Sequence, residues 1–169
     1  MAKLERRLSG PASLTADHDF STFDCGEPAL NGWLRERALK NESRYSRTYV
    51  VCEGKRAAAY VCISAGAVRR AAAPSKLRRN APDEIPVSVI GRLAVDREFV
   101  GRGIGADLLA DALRRIAAVS QTIGVAAVLV HAKTEVAKKF YLKHAEFLEY
   151  PQDSRILFLP IDTIINALA

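Results

Sequence analysis

Val100-Gly101-Arg102-Gly103-Ile104-Gly105 lies between an apolar run ending Leu93-Ala94-Val95-Asp96 and a strongly helical segment, Ala106 to Ala118. A strand, a turn of glycines and a helix start gather unpaired backbone N–H groups around one concavity, at the positive end of the helix dipole. Such a concavity cradles an anion, and a pyrophosphate fits it. Glycine suits the turn because a side chain would clash with a closely approaching phosphate and because glycine takes positive φ without strain. A P-loop is excluded, since no Gly-Lys-Ser/Thr follows. The spacing Gly101-x-Gly103-x-Gly105 departs from the G-x-G-x-x-G of dinucleotide sites, and the strand lies late in the chain. An acyl-CoA pyrophosphate remains, beside the plain reading of a tight loop without a ligand.

The chain has 169 residues, enough for one domain (1–169) with a real core. Charges in Met1–Gly10 argue against a secretory signal, and no stretch of about 18 apolar residues offers a membrane span. A soluble, cytoplasmic protein is therefore expected. Cys25, Cys52 and Cys62 show no metal-ligand spacing and read as buried thiols, with no metal site expected. The formal net charge of +6 and a pI near 9.4 favour a polyanionic partner. That charge is concentrated: from Gly54 to Pro82 there is no Asp or Glu, while Lys55, Arg56, Arg69, Arg70, Lys76, Arg78 and Arg79 are basic.

Along the chain, Leu4–Leu8 reads as a short strand and Ser9–Pro28 as a turn-rich segment. Leu30, Trp33, Leu34 and Ala38 mark a short amphipathic helix. Ser46–Glu53 and Ala57–Val68 form a hairpin across Gly54-Lys55-Arg56, and Ala71–Glu84 is an exposed loop or short helical piece. Pro86–Val95 reads as a central strand. Ile104, Leu108, Leu109, Ala112, Ile116 and Ala117 recur at helical spacing. Val125–Val130 is a second central strand, and Thr134–Lys143 a helix capped by Thr134. Phe147–Glu149 and Arg155–Leu159 make a closing strand pair, followed by a helix over Ile161–Leu168.

The glycine turn resembles motif A of the GCN5-related N-acetyltransferases (GNAT), Q/R-x-x-G-x-G/A. Four further segments extend the likeness over nearly the whole chain: Gly91-Arg92-Leu93-Ala94-Val95-Asp96; Phe23-Asp24-Cys25-Gly26 with Leu30-Asn31 and Trp33-Leu34; Phe140-Tyr141; and Leu157-Phe158-Leu159-Pro160. Together they resemble the acetyltransferase toxins of type II toxin-antitoxin modules, which acetylate aminoacyl-tRNA. Two positions depart from the pattern. Val100 stands where the family has Gln or Arg, and Ala145-Glu146-Phe147 replaces the usual Gly-Phe after the tyrosine helix.

The resemblance implies an α/β (α+β) GNAT fold: a mixed, mostly antiparallel twisted sheet of six to seven strands, about four flanking helices, and a V-shaped split between the two central strands. It implies acetyl-CoA as cosubstrate, with the main chain of Leu93, Ala94 and Val95 pairing with pantetheine. The amides of Val100, Gly101, Arg102, Gly103, Ile104, Gly105 and Ala106 would hold the pyrophosphate. Tyr141 falls where the family places its general acid, a phenol able to protonate the departing thiolate. On its sequence alone the reading as a core tyrosine with a satisfied hydroxyl is favoured by roughly two to one. A base is dispensable, because an α-amino group titrates near 7.7–8.0; His131 and Glu135 are the available acceptors. Arg78, Arg79 and Arg92 would hold tRNA phosphates. The implied partners are aminoacyl-tRNA, a small ribbon-helix-helix antitoxin (DUF1778-like), operator DNA through that antitoxin, and a second copy in a homodimer. Two other functions stay open: an acetyltransferase for a small-molecule or protein amine, and a non-catalytic corepressor.

Overall fold

β-Branched and aromatic residues on both sides of Gly54, which sits at φ 61°, pair as an antiparallel hairpin of β2 (Arg47–Glu53) and β3 (Arg56–Arg69). The computed structural model describes residues 7–169. The remaining strands are β1 (Leu8–Ser13), β4 (Glu84–Val95), β5 (Ala127–His131), β6 (Leu148–Tyr150) and β7 (Asp153–Pro160). They hydrogen-bond in the order β1-β2-β3-β4-β5-β7-β6. The β4–β5 register is parallel, whereas β1–β2, β2–β3, β5–β7 and β6–β7 are antiparallel. The parallel register joins Val87–Ile90 to Ala127–Val130 and stops there, while β4 runs on to Val95. That early end of the pairing is what the expected split between the two central strands requires.

The helices are α1 (Pro28–Glu36), α2 (Ala38–Asn41), α3 (Ser75–Arg78), α4 (Ile104–Val119), α5 (Glu135–His144) and α6 (Ile161–Leu168). Four of them fall on the four segments with helical spacing. The other two, α2 and α3, are single turns whose four residues are too few to display a period. Pro74 opens α3 because its fixed φ suits a helix start, and Leu77 packs inward from it. Of the strand expected at Leu4–Leu8, all but Arg7 and Leu8 lies outside the described residues. The first strand instead occupies Leu8–Ser13, inside the stretch read as turns. Pro11 is tolerated there because β1 is an edge strand. Gly10 is required: at φ 101° a Cβ would stand 2.5 Å from the Val50 carbonyl oxygen of β2, where the pairing register shifts between Ser9 and Ala12.

Two compact units share this chain, one formed by residues up to Ile63 with Arg92–Asp111 and the other by Ser64–Gly91 with Ala112–Ala169. The first has its core in Leu14, Phe23, Leu34, Ala38, Val50 and Tyr60, with Trp33 partly buried against it. Phe23 meets the Tyr60 ring edge-on at 5.4 Å, and Trp33 stacks on Tyr60 at 5.8 Å. The second packs Ile85, Val87, Ala127 and Phe158, with Leu77, Leu129 and Tyr150 around them. Among the described residues no helix is long and apolar enough to cross a membrane.

Candidate functional site

The glycine turn forms as its sequence requires. Gly101 and Gly103 adopt φ 85° and 76°, and nothing lies within 4 Å of where a Cβ would project from either. Both face open space, so it is the backbone conformation and not crowding that selects glycine. The first helical bond of α4 runs from the Asp107 N–H to the Gly103 carbonyl at 3.1 Å. The amides of Ile104, Gly105 and Ala106 therefore precede the helical ladder and remain available as donors. Ile104 is buried and anchors the helix start, while Gly101, Arg102 and Gly103 are exposed. Val100 is 66% exposed and brings no polar side chain. The turn is thus a backbone cradle at a 16-residue helix N-terminus, and its chemistry fits a pyrophosphate. On the β4 side, Ala94 is buried and Leu93 and Val95 are half-buried, beyond the point where the β5 register ends.

Polar side chains that the sequence did not single out as site residues hold the segment leading into this turn. Asp96, 2% exposed, accepts from the Glu98 N–H at 2.9 Å and so caps the single 3₁₀ turn Arg97–Phe99. Its other oxygen accepts from the Asp24 N–H at 2.9 Å, and Arg97 N–H donates back to the Asp24 carbonyl at 2.9 Å. Arg56 lies 3.8 Å from Asp96 and 3.0 Å from Glu98. The guanidiniums of Arg56 and Arg102 stand 5.2 and 5.3 Å from the centroid of the buried Phe99 ring. Asp96 and Asp24 are 72 positions apart and show no periodic signature; the one signal in the sequence was that each belongs to a family-like motif.

Tyr141 sits on α5, whose first turn is capped by the Thr134 hydroxyl accepting from the Ala137 N–H at 3.1 Å. It is 6% exposed, with the rings of Phe140 and Phe147 edge-on at 5.3 and 5.7 Å. Phe147 of the unusual Ala145-Glu146-Phe147 stretch is thereby buried against Tyr141. Burial pushes the phenol well above its ordinary value of 10.0. Of the two acceptors considered, His131 is exposed at the end of β5, and Glu135 lies 3.7 Å from Arg155 in the first turn of α5.

The basic stretch is less uniformly charged than its composition implied. Arg56 pairs with Glu98, and Arg70 pairs with Asp83 at 3.0 Å and donates to the Ala81 carbonyl at 3.1 Å. Arg78, the last residue of α3, and Arg79, its cap, are both exposed, as are Arg69 and Lys76. Arg92 is placed differently: its guanidinium lies 4.3 Å from the centroid of the Trp33 ring, on a stack that continues to Tyr60. The thiols also differ in part from expectation, since Cys52 and Cys62 are buried but Cys25 is only half-buried. Cys25 follows Asp24 in a turn, and its N–H donates to the buried Asn31 Oδ1 at 2.9 Å.

The family profile described as "Acetyltransferase (GNAT) family" matches residues 14–147. A tRNA-acetylating toxin of Mycobacterium tuberculosis strain H37Rv is 41% identical over 152 residues, covering 89% of this chain and 91% of its own. The solved structure of AtaT complexed with acetyl-methionyl-tRNAfMet superposes with a TM-score of 0.87 at 31% identity, covering 96% of this chain and all of its own. A tyrosine-to-phenylalanine mutant of the AtaT toxin, bound to the C-terminus of the antitoxin AtaR and acetyl-CoA, gives 0.81 at 28% identity, covering 96% and 98%. With an open glycine turn between a strand and a helix N-terminus, and with likenesses that span nearly its whole length, this chain belongs to the GNAT acetyltransferase family.

Proposed function

We propose that this chain is the toxin of a type II toxin-antitoxin module, transferring the acetyl group of acetyl-CoA to the α-amino group of aminoacyl-tRNA and so blocking translation. The observation that carries the reading is the open glycine turn at the start of α4, in a chain 41% identical to a tRNA-acetylating toxin. The main chain of Leu93, Ala94 and Val95 holds the pantetheine arm, and the amides of Val100–Ala106 hold the pyrophosphate. Arg78 and Arg79 contact tRNA phosphates, and Arg92 does so from its seat on Trp33.

In the reaction the neutral amine nitrogen attacks the thioester carbonyl, a C–N bond forms and the C–S bond breaks. The proton shed by the nitrogen passes to water. Tyr141 donates its hydroxyl proton to the departing sulfur and is reprotonated from solvent. Burial raises its pKa, so the phenol carries its proton at neutral pH. No side-chain base is required.

Module toxins act inside the cell, so a cytoplasmic location follows from the reading, as do a ribbon-helix-helix antitoxin, operator contact through that antitoxin, and a homodimer. The test is incubation of the purified protein with labelled acetyl-CoA and charged tRNA, with mass spectrometry of the aminoacyl groups. Acetyl-aminoacyl adducts are expected. No transfer to any charged species, alongside transfer to a small amine or protein, would replace this reading with that of a different acetyltransferase.

A further inference from the structure

The Phe23-Asp24-Cys25-Gly26 stretch and Asn31 carry no chemistry in the reaction above, yet they form a dense polar knuckle. Asp24 Oδ1 accepts from the Gly26 N–H at 2.9 Å and from Asn31 Nδ2 at 3.0 Å, and Asn31 Oδ1 accepts from the Cys25 N–H at 2.9 Å. The Gly26 N–H, then Asn31, hold the Asp24 carboxyl below its ordinary value. Arg35 donates to the Phe23 carbonyl at 3.0 Å, fixing the knuckle to α1. Asn31 is only 7% exposed, an amide kept inside at the start of a helix. Gly26, at φ 92°, leaves room for the Arg97 guanidinium 3.2 Å from where its Cβ would be.

The Asp24 backbone and carboxylate reach across to one segment, Asp96–Arg97. The Asp24 N–H reaches Asp96, the Asp24 carbonyl takes the Arg97 N–H, and Asp24 Oδ2 stands 3.8 Å from Arg97 Nη1. Asp96 also accepts from Glu98 and faces Arg56, and the Asp96 N–H is itself tied to the Ala58 carbonyl of β3 at 2.8 Å. Phe99, two residues before Gly101, has both the Arg56 and the Arg102 guanidinium over its ring. The four residues Asp96–Phe99 between β4 and the glycine turn are therefore pinned at each end.

Resting on the acetyl-CoA reading of the turn, we propose that Asp96 and the Asp24–Asn31 knuckle are positioning residues for the cofactor site. They set the exit of β4 so that the amides of Val100–Ala106 converge on the pyrophosphate. A cradle made of backbone, with Val100 where a polar side chain is usual, depends on this more than one with side-chain ligands, because its donors have no rotamers with which to compensate for a displaced backbone.

The experiment measures acetyl-CoA affinity by calorimetry, steady-state kinetics in both substrates, and thermal melting, for the wild type, Gly103→Val, Asp96→Asn and Asn31→Ala. Gly103→Val tests the cradle itself and should abolish acetyl-CoA binding. Asp96→Asn keeps the shape and an acceptor but loses the charge, and should raise Kd and KM for acetyl-CoA about tenfold. Its kcat should recover at saturating acetyl-CoA and its KM for charged tRNA should stay unchanged. Asn31→Ala, more distant, should raise the same two constants by a smaller factor. If the wild type fails to bind acetyl-CoA, the reading of the site itself falls. If the wild type binds and Gly103→Val does not, while Asn31→Ala and Asp96→Asn melt lower but keep wild-type affinity, the positioning role is overturned. Should Asp96→Asn not fold, Asn31→Ala alone decides between these outcomes by its acetyl-CoA KM.

Discussion

A phenol buried among Phe140 and Phe147 is energetically costly to ionise, so Tyr141 keeps its proton at neutral pH. The raised value keeps the proton in place but weakens the driving force for giving it up, so the role rests on position and is decided by a substitution. Tyr141→Phe removes the proton but leaves the ring packing, so acetyl-CoA affinity should hold while kcat falls about a hundredfold or more; equal turnover in the two proteins would take the acid role from Tyr141. Arg92 makes a different point. Its guanidinium sits over the Trp33 ring, so lysine is not a conservative replacement. Arg92→Lys should raise the KM for charged tRNA nearly as much as Arg92→Ala, whereas full retention of function by lysine would mean that charge alone matters there. The turn glycines were legible as residues because their conformational demand is local, whereas Tyr141 was singled out only through the resemblance to the family. Asp96 was not, since its partners at Asp24 and Arg56 are far away in sequence and a carboxylate after a strand looks like any other helix-start acid.

At the scale of elements, the hairpin of β2 and β3, the long α4 and the capped α5 all announce themselves by repeated side-chain chemistry, and each forms within a few residues of the expected bounds. β1 was read as turns, and over α3 a loop and a short helical piece both stayed open, because the cause of each element is tertiary. β1 forms across Gly10-Pro11 because β2 offers a ladder and the outer edge needs no donor from Pro11. α3 forms because Leu77 has a core to enter. Since Thr134 caps the helix that carries Tyr141, Thr134→Ala should cost about 1 kcal/mol. The melting temperature should drop by about 2–4 °C for a chain of this length, read by calorimetry. An unchanged melting temperature would show the first turn of α5 to be held by its other interactions, the Glu135–Arg155 pair among them. Arg78 and Arg79 end α3 with exposed guanidiniums. Reversing both to Glu should weaken tRNA binding and lower the slope of log K against log salt by about 0.7–1 for each phosphate that is no longer neutralised. A weakened affinity with the slope unchanged would mean that neither arginine touches phosphate.

For the whole molecule, the two units each bury ionisable groups in the neutral form. In the first, burial pushes Tyr60, Cys25, Cys52 and Cys62 up; in the second, it does the same to Tyr141. Raised folded-state values mean that below about pH 7.5 both the folded and unfolded chains hold these protons and no stability is at stake. Above that, the unfolded chain releases its thiol protons first and then, near pH 10, its phenol protons, while the folded chain keeps them. The unfolded state then binds fewer protons, so stability falls as pH rises, by up to about 1.4 kcal/mol per pH unit for each fully retained proton. Melting temperature should therefore be flat in this respect up to about pH 7.5, begin to decline through the thiol range at about pH 8–9, and decline more steeply beyond about pH 10. Tyrosinate absorbance from Tyr60 and Tyr141 should appear only together with unfolding. Tyr60 has a further reason to stay protonated, since its hydroxyl donates to the Leu30 carbonyl at 2.7 Å, a bond that the phenolate cannot make. Tyr141→Phe should make the decline above pH 10 shallower by the share of one tyrosine and leave the earlier, thiol-driven part unchanged. A decline of equal slope in the wild type and the variant would mean that the Tyr141 phenol ionises in the folded protein, and its standing as a proton donor at alkaline pH would fall with it.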